Sequence, residues 1–366
     1  MIPCTRRSFC EGLLATAMAG IATCAEANSA AIEAYLRARR AYEEVATAYW
    51  QSVVDKRRVR FAKRRKGEAI VLEDYVLTQP PVYTGPPRPP GIPQSEVPGP
   101  PPEHIPTVAE FLKAAAEQYK FVPDRIGEAE FKRAYAKVAR EAGLTRDQAV
   151  RVYAFETGGN GTYDGQSGIV GNSNKNARPI SPAMGYNQLL TTNTVSLLAE
   201  HGDRFLTTLK ASGVAEQKTA VLKRMIDFTR TVPSSWSEQD KLAKTTDGGR
   251  GVHAAVLDRD FGPLLQTQKL LDSVEFARVR GTKRPLTGAE LELMNFTGDG
   301  NGYDLVTMPQ EFRDKVPTSN FFQRGGYERN PIARRTGTVA GLFASIDGKM
   351  DQASQARGAR ELAEAF

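Results

Sequence analysis

Apolar and polar positions divide this chain of 366 residues into three stretches of different character. Residues 29–66 contain no Gly or Pro. They are rich in Ala, Arg and Glu, with apolar side chains at Ile32, Leu36, Val45, Tyr49 and Val53, a pattern that predicts one long helix. Residues 80–106 hold twelve prolines in 27 positions, including Pro86-Pro87-Arg88-Pro89-Pro90 and Pro100-Pro101-Pro102. Such a run propagates neither helix nor sheet and favours extended polyproline geometry, which predicts a semi-rigid spacer. From Thr107 onward the pattern is helical. Thr107-Val108-Ala109-Glu110 is a capping box that opens a helix to about Lys120, and a second helix covers roughly 127–142 before Gly143. Thr145-Arg146-Asp147-Gln148 opens a third, which ends at Glu156 ahead of Gly158-Gly159. Residues 160–180 are rich in Gly and Asn and read as loop, while segments 182–200, 203–211, 214–230, 236–244, 263–278 and 287–295 predict further helices. No stretch alternates with period two, so the expected fold class is all-α.

Charge and cysteine change the picture at the N-terminus. Thr5-Arg6-Arg7-Ser8-Phe9 is a twin-arginine-like motif, followed by an uncharged, Ala-rich run from Gly12 to Ala25 and a small-residue cleavage pattern at Ala25-Glu26-Ala27. The run is about 14 residues long, short of the ~20 a spanning helix needs, so residues 1–27 read as an export signal and the mature protein as periplasmic or secreted. An ordinary secretory signal reads the same stretch almost as well. Lipidation at Cys24 is disfavoured by Thr23 before it. All three cysteines (Cys4, Cys10 and Cys24) lie inside this segment, leaving the mature chain no thiol for a disulfide, a metal or a nucleophile. The formal charge of +7 is local: residues 28–66 carry eleven Lys and Arg against Glu33, Glu43, Glu44 and Asp55. A basic helical arm over 28–77 therefore precedes a Pro-rich linker over 78–106 and a helical body over 107–366. Residues 37–66 offer a patch for anionic envelope polymers or lipid head groups, or a solvated helix face. Nucleic acid is disfavoured, because no aromatic residues interleave with the charges.

Candidate chemistry centres on Glu156, which ends the apolar run Val152-Tyr153-Ala154-Phe155. A carboxyl among such neighbours ionises reluctantly, and a proton-holding Glu beside a cleft is what glycosidic cleavage asks of its general acid. Downstream, Ser181-Pro182-Ala183-Met184-Gly185-Tyr186-Asn187-Gln188-Leu189 is a small-residue segment closing on an amide. Ala183 and Gly185 are expected to leave room for a sugar ring, and Gln188 to present both donor and acceptor to its hydroxyl or N-acetyl groups. Tyr186 either stacks on a sugar face or packs in the core.

The pair of motifs resembles the Glu-(Ser/Thr) and Gly-Ala-x-Gly-x-x-Gln-Leu signatures of lytic transglycosylases, lysozyme-like enzymes that cut peptidoglycan. The resemblance covers roughly 140–200. It implies a lysozyme-like helical body in which Glu156 protonates the oxygen between N-acetylmuramic acid and N-acetylglucosamine. The same group then takes the proton of the muramoyl 6-hydroxyl, giving an anhydro-sugar with no metal and no cofactor. Ser181, Ala183, Gly185, Tyr186 and Gln188 would bind the glycan, joined by Tyr327 and Asn320 from the later aromatic segment. Two departures stand out: the interval from Glu156 to Gln188 is 32 residues, longer than usual, and Tyr186-Asn187 replaces the customary Leu-Met. A non-catalytic wall-binding or secretion-apparatus protein, or a hydrolytic lysozyme with Asp164 as second acid, remain alternatives. His104, His201 and His253 have no ligand spacing, and Asp299-Gly300-Asn301-Gly302-Tyr303-Asp304 departs from a calcium loop and reads as a turn. No P-loop, dinucleotide or Gly-x-Ser-x-Gly pattern is present.

Overall fold

A computed structural model describes residues 8–90, 92, 104–169 and 177–366, with side chains from Ser29 on. The expected export signal, Cys24 included, falls outside the residues with described side chains, as does the second half of the Pro-rich segment. The fold is all-α: among the described residues there is no strand, only isolated bridges pairing Met184 with Gln166 and with Leu189. No described helix is long and apolar enough to cross a membrane.

The chain forms two compact units, Met1–Glu103 with Lys315–Gly337, and His104–Asp314 with Thr338–Phe366. The single body expected over 107–366 is thus interrupted, since residues 315–337 pack with the N-terminal region. Unit 1 is built on the helix α1 (Ser8–Lys66). Unit 2 contains α2 (Val108–Tyr119), α3 (Glu128–Glu141), α4 (Arg146–Thr157), α5 (Thr191–Ala211), α6 (Glu216–Thr229), α7 (Trp236–Thr245), α8 (Asp247–His253), α9 (Phe261–Val279), α10 (Gly288–Thr297), α11 (Asp299–Val306) and α12 (Gln310–Arg313). The chain then adds α13 (Arg324–Arg329) and α14 (Pro331–Thr336) to unit 1, and closes unit 2 with α15 (Val339–Ser354) and α16 (Arg357–Ala365).

In unit 1, α1 buries Ala46, Trp50 and Val53, with Trp50 against Tyr327. The basic stretch is partly internal. Arg60 is wholly buried, its guanidinium 4.4 Å from the Tyr75 ring, and it donates to the carbonyls of Asp74 and Asn320. Arg57 donates to the carbonyls of Asn320 and Phe322, and Lys63 pairs with Asp74 at 2.6 Å. Part of the predicted polyanion patch over 37–66 therefore holds unit 1 together, while Arg37, Arg40, Arg58, Arg65 and Lys66 are exposed. The first half of the Pro-rich segment is no free spacer either. Tyr83 sits edge-on to Tyr35 and Tyr42, with Arg39 over its ring, and Tyr49 and Tyr42 donate to the carbonyls of Thr78 and Pro81, so residues 78–85 lie along α1. Rigid polyproline geometry orders cheaply against a helix because little chain entropy is lost.

In unit 2, both predicted capping boxes are present. The Thr107 and Thr145 hydroxyls accept from the amides of Glu110 and Gln148, whose side chains reach back to the N-cap amides. One apolar cluster runs through Phe111, Leu198, Met225, Val256 and Leu265. The two helices expected over 182–200 and 203–211 differ from the observed course. Residues 182–190 form a turn, and α5 runs unbroken from Thr191 to Ala211, with Gly202 letting Ile226 approach. The Asp299 segment is helical in place of the expected turn: Asp299 begins α11 and its carboxylate accepts from Ser273 at 2.6 Å.

Candidate active site

Glu156 is in the last turn of α4, just before Gly158 takes a left-handed φ of 65° and stops the helix. The face of α4 below it is dry, with Val152, Tyr153 and Ala154 buried. Tyr153 donates to the carbonyl of Gly161 at 2.8 Å, tying the following loop to the helix. α10, α15 and α16 pack around α4, and Gly159 is pressed to the end of α15, where a Cβ would collide with the carbonyl of Ala353. The close approach that Gly159 permits is therefore by a helix.

The downstream segment folds into a tight ring. Met184 and Leu189 exchange both backbone hydrogen bonds, at 3.0 and 2.9 Å, around Gly185 and Gln188, whose φ values are 83° and 43°. Two left-handed residues within four positions are incompatible with a helix, which is why 182–190 is a turn. The ring carries Gln188 to the loop after α4, and Glu156 and Gln188 line one cavity of about 190 Å³ with Thr157, Thr162, Gln166 and Ser167. Gln188 Nε2 donates to the carbonyl of Gly185 at 2.8 Å. Its Oε1 meets no donor among the described residues. Gln166 is committed to the backbone, accepting from Val108 and donating to Pro106 and Ser181.

Most other predicted binding residues serve the fold. Tyr186 is fully buried and donates to Glu128 at 2.6 Å among the rings of Phe131, Tyr135 and Tyr153, so it is a core residue and not a sugar platform. Ala183 is buried, and the space over Gly185 is filled by the Gln266 amide. Ser181 accepts from the amide of Ala183 and does not line the cavity. Tyr327 and Asn320 belong to unit 1, where Tyr327 is buried beside Trp50. Asn320 exchanges hydrogen bonds with both backbone groups of Val76 and donates to Pro317, leaving no polar atom of its side chain for a ligand. Asp164, the candidate second acid, is held by Arg125 and by Thr162.

Three groups that the sequence did not single out complete the site. Asn295 of α10 donates to Glu156 Oε1 at 3.3 Å. Glu292, one turn earlier, is 2 % exposed, and its Oε2 has no hydrogen-bond partner. Lys269 of α9 is half-buried and makes no ion pair or hydrogen bond among the described residues. Burial pushes the Glu156 carboxyl up to about 7, against the opposing pull of Lys269. Burial, and then the charge of Glu156, raises Glu292 well above the carboxylate range, while burial lowers Lys269. The signal was present in Leu291-Glu292-Leu293-Met294, a Glu inside an apolar run like the one that marked Glu156.

The arrangement supplies a titratable carboxyl near neutrality that lines a small cavity together with an amide, and, outside that lining, a buried second carboxyl and a cation that act on it electrostatically. It can give and take a proton. No group of three His, Cys, Asp or Glu is placed to hold a metal among the described residues. No family model matches the chain, and neither do curated proteins or solved structures.

Proposed function

We propose that the protein is a peptidoglycan lytic transglycosylase, with unit 2 a lysozyme-like catalytic body and Glu156 the single acid/base. The observation that carries this reading is the shared cavity: a carboxyl held near neutrality and the Gln188 amide line it from opposite sides of a 32-residue interval. Protonated Glu156 gives its proton to the glycosidic oxygen as the bond to the muramoyl anomeric carbon breaks, and N-acetylglucosamine leaves as the free alcohol. The resulting carboxylate takes the proton of the muramoyl 6-hydroxyl, whose oxygen bonds to that carbon and closes the 1,6-anhydro ring. Glu156 ends as it began, protonated. Asn295 and Lys269 favour the charged form between the two steps. The cavity is smaller than the ~300 Å³ at which drug-sized pockets begin, so it receives the reacting linkage and one substituent, with the strand passing outside. Export to the periplasm and contact of the exposed charges of residues 37–66 (Arg37, Arg40, Arg58, Arg65 and Lys66) with anionic envelope polymers or lipid head groups belong to the same proposal.

The test is muropeptide analysis of purified sacculi. Wild-type protein should release anhydro-muramoyl products, and Glu156→Gln should lower their release by at least about a hundredfold, the scale of general acid–base help, with an unchanged circular dichroism spectrum. Products heavier by one water identify a lysozyme instead. Full release by Glu156→Gln ends the proposal.

A further inference from the structure

Unit 2 has a second cavity, of about 420 Å³, that shares no lining residue with the cavity of Glu156 and Gln188. α3 and α5 both pack on α9, and the three helices wall the cavity between them. Its volume falls inside the ~300–1,000 Å³ range of small-molecule sites. Apolar side chains come from every wall: Ala134 and Val138 from α3, Phe205 and Leu209 from α5, Leu264 and Leu271 from α9.

The charges around these walls do not cancel. Arg259 pairs with Glu130 at 3.1 Å, and Asp260 pairs with Lys218 at 2.5 Å. Lys137, Arg204 and Glu141 have no ion-pair partner among the described residues, which leaves two cations against one carboxylate. Arg204 donates to the side-chain amide of Gln268, a neutral acceptor that leaves its charge uncompensated. On the α9 wall, Thr267 is 2 % exposed and its hydroxyl has no hydrogen-bond partner. Other helical threonines of this chain return the hydroxyl to the carbonyl four residues back, as Thr157 does to Tyr153 and Thr297 to Leu293. Thr267 makes no such bond to Pro263. One turn about its χ1 decides whether methyl or hydroxyl meets the cavity, and a buried hydroxyl left unpaired costs stability that a bound acceptor would restore.

We propose that this cavity binds a small amphiphilic carboxylate with a single alkyl chain. The chain lies on Phe205, Leu209 and Leu264, out of water. The carboxylate sits beside Gln268, where the guanidinium of Arg204 and the hydroxyl of Thr267 both donate to it. Lys137 adds a second positive charge to the same mouth. A cationic amphiphile would add to the surplus charge, and an uncharged one would leave Arg204 as it is. A peptide would press backbone amides against apolar walls that offer them no partners. Because the two cavities share no lining residue, the inference stands apart from the reading of Glu156 as an acid/base.

The experiment is isothermal titration calorimetry of the full chain with octanoate, decanoate and 1-octanol. Octanoate should bind at least about tenfold more tightly than 1-octanol, the scale of a hydrogen bond to a charged group. Decanoate should bind about tenfold more tightly than octanoate, the effect of two more buried methylenes. Arg204→Gln, at an exposed position, should bring octanoate down to the affinity of 1-octanol. Ala134→Trp, which fills the cavity from the α3 side, should abolish decanoate binding with an unchanged circular dichroism spectrum. The basic arm of unit 1 is the competing site for a fatty carboxylate, and neither substitution touches it. Decanoate binding that survives both variants therefore belongs elsewhere and overturns the inference. So does 1-octanol binding as tightly as octanoate, or an absence of binding at millimolar decanoate.

Discussion

Asn320 in unit 1 and Glu292 in unit 2 are both polar and almost wholly inaccessible, yet they are treated in opposite ways. Every polar atom of the Asn320 side chain is paired, with Oδ1 accepting from Val76 at 2.9 Å and Nδ2 donating at 2.8 and 3.0 Å. Glu292 leaves Oε2 without a partner, beside a second carboxyl and a cation that touches neither. A saturated buried amide fixes geometry, since each of its bonds constrains a backbone segment. An unsaturated carboxyl destabilises its surroundings and persists where its proton is of use. The aromatic, amide-rich segment around Asn320 drew attention in the sequence as a place for sugar, but saturation marks it as framework. The apolar run around Glu292 drew none, though it buries a carboxyl oxygen without a hydrogen-bond partner.

The largest effect that would sharpen this contrast is expected at Asn320. Asn320→Ala leaves the backbone amide and carbonyl of Val76 without partners, each at about 1–3 kcal/mol, and removes one of the two hydrogen bonds to the carbonyl of Pro317, so the loss should reach about 3 kcal/mol or more. Trp50 reports it. Of the two tryptophans it is the buried one, and its fluorescence during urea unfolding follows unit 1. A midpoint unchanged from wild type would show that the Asn320 network is dispensable and remove the framework side of the comparison.

How much of this was legible in advance depended on whether the signal was local. The capping boxes at Thr107 and Thr145 place two helix starts as observed, because a cap is a four-residue event. The all-α class follows from the absence of alternation. Glu156 and Gln188 meet in one cavity as their pairing in sequence suggested. What escaped was set by distant parts of the chain. The helices α15 and α16, which support α4, lie beyond the last helix the pattern predicted at 287–295. The return of Lys315–Gly337 to α1 has no local mark, nor does the burial of Arg60 against Tyr75. The turn at 182–190 was misread as helix because a left-handed φ at Gln188 is held by backbone pairing across the ring and by no residue preference.

A smaller effect separates two glycines that share a left-handed backbone. Gly158 and Gly185 both have left-handed φ, but nothing stands where a Gly158 side chain would go, while a Gly185 side chain would displace the Gln266 amide. That amide accepts from Asn187 at 2.8 Å and so supports the ring that carries Gln188. Gly158→Ala should cost about 1 kcal/mol, the ordinary left-handed penalty. Gly185→Ala should cost about 2–3 kcal/mol, since a buried hydrogen bond is disturbed as well. Equal losses in chemical denaturation would mean that the Gln266 contact contributes nothing to the ring.

The smallest effect probes the unsaturated side of the contrast through stability, without substrate. Glu156 in the folded protein is pushed up to about 7 from an ordinary 4.5, so between those values the folded state holds a proton that the unfolded chain has released. Stability contributed by this group is complete below 4.5 and is lost as pH rises toward 7, because stability falls wherever the native state binds the extra proton. Glu156→Gln cannot titrate and escapes that loss. The melting temperature of the variant, taken relative to wild type, should therefore climb by a few degrees from pH 4 to pH 8 and level off above. A solvated carboxyl at the end of α4 would give a difference that is flat over the same interval. Glu156 would then resemble the exposed acids of the surface, and only Glu292 would be left to distinguish unit 2 from the saturated network of unit 1.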